Sequence, residues 1–246
     1  MRGPRGVVAV TSLPLEACIA QGRGVSVLCS QSINLQASLR EAVSRGARGI
    51  ISFGIAGGLA PNLKAGDWIV ASAVKYGNDI IPTDPDWTRN LKGALSGAFH
   101  AEIFGSDVLV MRPAEKSELH SRTGAVAIDM ESHIAAQVAR EHRIPFAVCR
   151  TIIDAANRRL PTAAAIALRP DGTPDLVAVL YSVLREPGQL PDLVRTARDE
   201  SIARRALNVG RARLGDALAF PGFDVAVPHP DVSHLDAPRS QSLATS

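Results

Sequence analysis

Short apolar runs alternate with helical patterns along the 246 residues. Gly6–Thr11 (GVVAVT) and Gly24–Ser30 (GVSVLCS) are brief and β-branched, and predict strands. Leu35, Leu39, Ala42 and Val43 then recur at helical spacing, with Gly46 as a stop. Gly49–Gly54 (GIISFG) predicts a third strand, apolar on both sides as a strand covered on both faces must be. Asp67–Val74 predicts a fourth, and Tyr76–Arg89, rich in Pro, Asp and Asn, reads as a long loop. A short helix from Pro113 to Arg122 and a strand over Ala125–Asp129 follow. Ser132 is placed to cap a helix running to His142, and Phe146–Ile153 (FAVCRTII) is the last strong strand. From 162 to 218 the pattern is helical, with breaks at 170–173 and 187–188.

This alternation predicts one α/β domain over residues 1–219, with a mainly parallel sheet and helices on its faces. Residues 220–246 carry Pro, Asp, His and Ser without periodicity and are expected to form a loose tail. Hydrophobic residues at 46% and charged residues at 21% are globular values and exclude wholesale disorder. A net charge of +3 does not demand a nucleic-acid partner, and aromatics at 4% argue against a stacking platform for single strands. Cys18, Cys29 and Cys149 are widely spaced in apolar contexts, so buried, inert thiols in a reducing cytoplasm are expected. Neither a signal peptide nor a membrane-spanning run is expected.

Three segments carry candidate chemistry. Ser52-Phe53-Gly54-Ile55-Ala56-Gly57-Gly58-Leu59 follows a buried strand and is neither GxGxxG nor a P-loop. It is either a tight turn or a place where backbone meets a ligand. Asp129-Met130-Glu131-Ser132-His133 sets two carboxylates at a strand end entering a helix. They either satisfy the helix dipole or accept from two neighbouring hydroxyls, as a ribose presents them. In Arg150-Thr151-Ile152-Ile153-Asp154, the aspartate ends an apolar strand. It either caps the next turn or, partly desolvated, acts as an acid near neutrality. Glu16 alone reads as a solvated helix-start residue. No histidine spacing supports a metal, and no Ser sits in GxSxG.

Together these segments resemble the nucleoside phosphorylase and nucleosidase superfamily, especially its methylthioadenosine/S-adenosylhomocysteine nucleosidase branch. Gly54-Ile55-Ala56-Gly57-Gly58-Leu59 with Leu63, Gly66 and Asp67 resembles the branch's GSAGGL…L..GD signature. Asp129-Met130-Glu131 resembles its EME ribose motif, and Arg150–Asp154 its R.ISD motif. Asp129-Met130-Glu131-Ser132-His133, Leu160-Pro161 and the 187–191 segment are most similar to the hopanoid-associated phosphorylase subgroup, which removes adenine from adenosylhopane.

The resemblance implies an α/β fold with a mixed, partly closed central sheet flanked by helices. It implies release of adenine from a 5′-substituted adenosine. Glu131 would hold the ribose hydroxyls with Met130 against the sugar, and Asp154 would share a proton with adenine N7. Glu16 would activate water. Leu109, in place of a stacking Phe, and Val110 would line the base beside Ile55 and Gly57. It implies no metal or redox cofactor, with phosphate as the alternative co-substrate to water. It implies a small-molecule nucleoside as partner and a homodimer or higher homo-oligomer. Two departures matter. Phosphate-using relatives carry an Arg and a Ser or Thr where this chain has Ser52 and Ile55, which favours water. The Ser that normally supports the catalytic aspartate is Ile153. A cationic cradle for phosphate would have to come from elsewhere, with Arg40, Arg45 and Arg89 as candidates. The arginine-rich stretch at 190–220 reads either as a core helix with a solvated face or as a peripheral contact with the inner membrane.

Overall fold

The computed structural model describes residues 6–30, 34–159 and 190–223. The first strands form as their patterns require. β1 (Val7–Thr11) is buried throughout and pairs in parallel with both β2 (Val25–Cys29) and β3 (Gly49–Gly58). Alternate residues of a strand face opposite sides of its sheet. Val8, Val10 and Ile50 accordingly enter one core with Leu35 and Leu39 of helix α2 (Leu35–Ser44). Val7, Ala9, Ile51 and Phe53 enter the other.

The sheet runs β2-β1-β3-β7-β6-β4-β5, and β8 (Phe146–Asp154) pairs with both β3 and β4 (Trp68–Tyr76). Strands β3, β7 (Ala127–Asp129), β6 (Phe99–Gly105), β4 and β8 therefore close on themselves. The sheet is mixed but mainly parallel, as expected: β3–β7, β4–β5 and β4–β8 are antiparallel and the other pairings parallel. The carboxyl ends of parallel β1, β3 and β8 lie together, where ligands of α/β sheets gather.

Several segments differ from their sequence reading. The glycine segment is no turn, because β3 continues through it to Gly58. The expected loop over 76–89 contains β5 (Asp79–Pro82) and the start of α3 (Pro85–Ala94). Asp84 caps that helix by accepting from Trp87 N at 2.8 Å, and Pro85 takes its first turn. Strand β6 was hidden because His100 and Glu102 interrupt its apolar run. Of the cysteines, only Cys149 is buried; Cys18 is exposed.

Helix α6 (Leu190–Leu214) turns Leu207 and Leu214 into the second core and buries Ala203. Gly210 gives Trp68 its close approach. Arg211 donates to the carbonyls of Ala20, Gln21 and Gly215. It is a core-packing helix with an arginine-bearing outer face. No described helix is long and apolar enough to cross a membrane. The ordered packing passes the expected boundary at 219: Phe220 sits edge-on to Trp87 at 4.8 Å, and the described chain ends at Phe223. The helical pattern over 162–189 and the rest of the expected tail lie outside the described residues.

Candidate active site

One arginine organises the carboxyl ends of the strands. Arg150, from an otherwise apolar β8, is fully buried. Its Nη2 donates to Ser52 Oγ at 2.6 Å and to Glu131 Oε2 at 3.1 Å, and Nη1 donates to the Ile55 carbonyl at 3.3 Å. Nε lies 2.8 Å from Asp129 Oδ2, an ion pair rather than an aligned hydrogen bond. Burial works against the guanidinium's charge, but Asp129, Glu131 and Glu16 outweigh it and hold the group above the usual arginine value.

Glu16 belongs to this network and is no solvated helix-start residue; it is 2% exposed. Helix α1 (Pro14–Ala20) begins just after β1, which turns Glu16 back toward the sheet. Its Oε2 accepts from Ser12 N and Leu13 N at 2.7 and 2.9 Å, and Oε1 accepts from Ile55 N at 2.8 Å. Burial raises its pKa, against the opposing pull of Arg150 and the backbone donors. A carboxylate offers about four acceptor sites, so Oε1 retains one. Gly54 makes the approach feasible: at φ +148°, its added Cβ would stand 2.7 Å from Glu16 Oε1 and 2.8 Å from Arg150 Nη1.

The two carboxylates of the 129–131 segment separate in role. Asp129 meets the start of α5 (Ser132–His142), accepting from Ser132 N at 3.1 Å and from the Ser132 hydroxyl. Ser132 is thus the first helical residue, capped by Asp129, not the cap itself. Glu131 holds the N-cap position of α5, but its side chain caps nothing. Its oxygens accept from the Ser12 hydroxyl at 2.6 Å and the Ser30 hydroxyl at 3.1 Å as well as from Arg150.

Asp154 stands apart from the arginine network. It is paired in register with Gly57, whose added Cβ would lie 3.3 Å from Asp154 Oδ1. Its other oxygen accepts from Lys116, a fully buried residue of α4 (Pro113–Thr123). Burial raises the pKa of Asp154, with Lys116 pulling the other way. A cavity of about 240 Å³ opens beside it, lined by Ile153, Arg158 and Asp199 among others.

The loop after β6 carries Leu109 and Val110. Asp107 pins it by accepting from Tyr76 Oη at 2.7 Å and pairing with His133 Nε2 at 3.1 Å. Val110 packs toward Leu59 and Ile128, whereas Leu109 and Met130 are 52% and 39% exposed. The structure thus joins Glu16, Ile55 and Glu131 through Arg150, and Asp154 with Gly57. The described residues do not enclose Leu109 or Met130. The sequence reading placed Arg150 in a motif without giving it a role, and passed over Lys116. A cation inside FAVCRTII was the available signal for Arg150; Lys116 carried none, in a helix of mostly polar residues. Arg40, Arg45 and Arg89 do not take part in this network: each makes a surface pair, with Glu141, Glu41 and Asp86.

Comparison with known proteins agrees with this architecture. A 5′-methylthioadenosine/S-adenosylhomocysteine nucleosidase of Listeria monocytogenes serotype 4a (strain HCC23) is 30% identical over 135 residues, covering 44% of this chain and 58% of that protein. The equivalent enzyme of Treponema pallidum (strain Nichols) is 26% identical over 121 residues, covering 44% of this chain and 45% of that protein. The chain therefore spans about half the length of these relatives. In fold it resembles the Helicobacter pylori nucleosidase of the same name, bound to butyl-thio-DADMe-Immucillin-A. The TM-score is 0.62 at 14% identity, over 85% of this chain and 95% of that one. The futalosine hydrolase of H. pylori strain 26695 gives 0.59 at 15% identity, over 86% and 96%. The family model for the phosphorylase superfamily matches residues 20–185, a stretch that holds the glycine segment, Glu131, Arg150 and Asp154 and begins just after Glu16. With that match over most of the chain and the closed mixed sheet beneath it, this protein belongs to the phosphorylase superfamily.

Proposed function

We propose that the protein hydrolyses the N-glycosidic bond of a 5′-substituted adenosine and releases adenine. One observation carries the choice of water. The Ile55 amide and the Arg150 guanidinium, the donors an incoming phosphate would need, already face the Glu16 carboxylate. Asp129 and Glu131 add two further carboxylates around the same arginine. A phosphate dianion entering there would meet like charge, whereas a water can donate to the remaining acceptor site of Glu16.

Each group then has a part. Glu131, whose oxygens accept from two serine hydroxyls, is suited to a pair of sugar hydroxyls taking the serines' places, with Met130 against the sugar. Asp154 gives a proton to N7 as the purine leaves, and Glu16 takes one from water as the sugar develops oxocarbenium character. Ile55, Gly57, Leu109 and Val110 border the base. The substrate fitting this reading best is adenosylhopane, on the subgroup resemblance and on the exposed apolar Val108, Leu109 and Met130, which suit a large apolar 5′-group. Of the segments carrying that resemblance, 160–161 and 187–189 lie outside the described residues. Methylthioadenosine or S-adenosylhomocysteine, named for the Listeria and Treponema relatives, is the second reading. The same exposed residues suit cover by a second copy, and a homodimer is the expected assembly.

The test is base release from adenosines carrying methylthio, homocysteinyl and long apolar 5′-groups, beside their inosine counterparts. A carboxyl group donating to N7 can also accept from the 6-amino group, but meets a 6-oxo group acceptor to acceptor. An unpaired buried polar group costs about 1–3 kcal/mol. Adenosines are expected to react roughly tenfold or more faster, and the apolar 5′-groups best. Equal kcat/KM on inosine analogues contradicts the assignment of Asp154.

A further inference from the structure

Lys116 is a buried cation whose polar neighbours all lie at one end of β8. An ammonium has three N–H donors. Nζ meets Asp154 Oδ2, the Ala155 carbonyl at 3.3 Å and the Arg158 carbonyl at 3.5 Å. Its strongest contact by far is with Asp154, so Lys116 acts on chemistry chiefly through that carboxyl group. The two oxygens of Asp154 are consequently unequal: Oδ2 faces Lys116, while Oδ1 faces the glycine segment at Gly57. The residue before it in the strand, Ile153, has no hydroxyl to offer this aspartate.

From this geometry we propose that Lys116 is a positioning residue for the leaving-group acid. It fixes Asp154 so that the transferable proton sits on Oδ1, and it stabilises the carboxylate left once that proton is given up. This rests on the reading of Asp154 as the acid of a nucleosidase. The step balances. The C1′–N9 bond breaks and its electron pair passes into the purine. The Oδ1–H bond breaks as N7–H forms, and the new carboxylate pairs with the ammonium. Water adds to C1′ and its proton goes to Glu16. A carboxyl group with no cation beside it would be a weaker acid in this buried place, and its proton could rest on either oxygen. Among the described residues, the other charges beside the pair are Asp199 of α6, which opposes ionisation of Asp154, Arg158, which lies 3.9 Å from Asp199, and Arg159 and Arg195, which line the same cavity.

A leaving-group comparison separates this role from mere support of the fold. A purine leaves well only when protonated, whereas p-nitrophenolate leaves without help. Lys116→Met, near in length and uncharged, is compared with wild type on a 5′-substituted adenosine and on the matching p-nitrophenyl riboside. Adenine release is expected to fall about 10²-fold, within the span of general acid catalysis, with p-nitrophenol release within about threefold. Asp154→Asn should show the same selective loss. Should the Met variant fold poorly, Lys116→Gln, which keeps donors but not the charge, carries the comparison. Equal losses on both substrates, or none on either, would overturn the proposal while leaving the nucleosidase reading intact. Wild type that releases p-nitrophenol but no adenine would overturn both.

Discussion

Glu16 is held by three backbone amides, and this makes its replacement by glutamine informative. A glutamine must point its NH2 either at the Ile55 amide or at the amides of Ser12 and Leu13, donor against donor. About 1–3 kcal/mol of stability should go with that mismatch. Adenine release should collapse at temperatures where circular dichroism still shows a folded chain, because the amide cannot take a proton from water. Asp154→Asn should cost about 10²–10⁴ in turnover with folding intact; a variant within a few-fold of wild type would remove Asp154 from the acid's role. The pH profile reports Glu16 directly. A base must be ionised to act, so activity rises with pH through its pKa. Burial, outweighing Arg150 and the backbone donors, places that pKa above the ordinary glutamate value of about 4.3. The acid limb of kcat/KM is therefore expected above that pH, and a limb at or below it would show that Glu16 is not the group titrating.

At the scale of elements, the glycine end of β3 and the closure of the C-terminal region onto α3 can each be probed. Gly54→Ala would put a methyl group within 2.7 Å of Glu16 Oε1 and 2.8 Å of Arg150 Nη1 at a positive φ. A backbone strain of about 1–3 kcal/mol should lower the melting temperature, and activity should fall further as Glu16 is displaced. Trp87→Phe should destabilise by about 1–3 kcal/mol in denaturant unfolding, since Trp87 Nε1 donates to the buried Leu218 carbonyl at 2.8 Å. A neutral result would mean that residues 216–220 are not held to α3. These elements also show what the sequence could reveal. GVVAVT and FAVCRTII were legible because strands covered on both faces leave continuous apolar runs. β6 and β5 were not, since His100, Glu102 and the exposed Asp79 and Ile80 break the pattern. The capped Asp84-Pro85 start of α3 was a readable signal submerged in turn-like composition. Glu131, Asp154 and the glycine segment were visible as motifs. Their division into an arginine network and a separate lysine–aspartate pair depends on strand pairing, which no local pattern encodes.

For the whole molecule, the closed sheet brings the ends of β1, β3, β7 and β8 to one place, and among the described residues the cluster around Arg150 there holds more acid than base. Asp129, Glu131 and Glu16 face the single guanidinium of Arg150, while Lys116 is matched by Asp154. Such a balance favours a developing cation on the sugar and disfavours an anionic nucleophile. The most direct test is to incubate the phosphate-free protein with a 5′-substituted adenosine that it cleaves, with and without added phosphate, and to identify the sugar product by mass spectrometry. The expected result is adenine release at the same rate in both, with a free 5′-substituted ribose as product. A strict requirement for phosphate, saturating with its concentration and yielding the ribose 1-phosphate, would contradict the account.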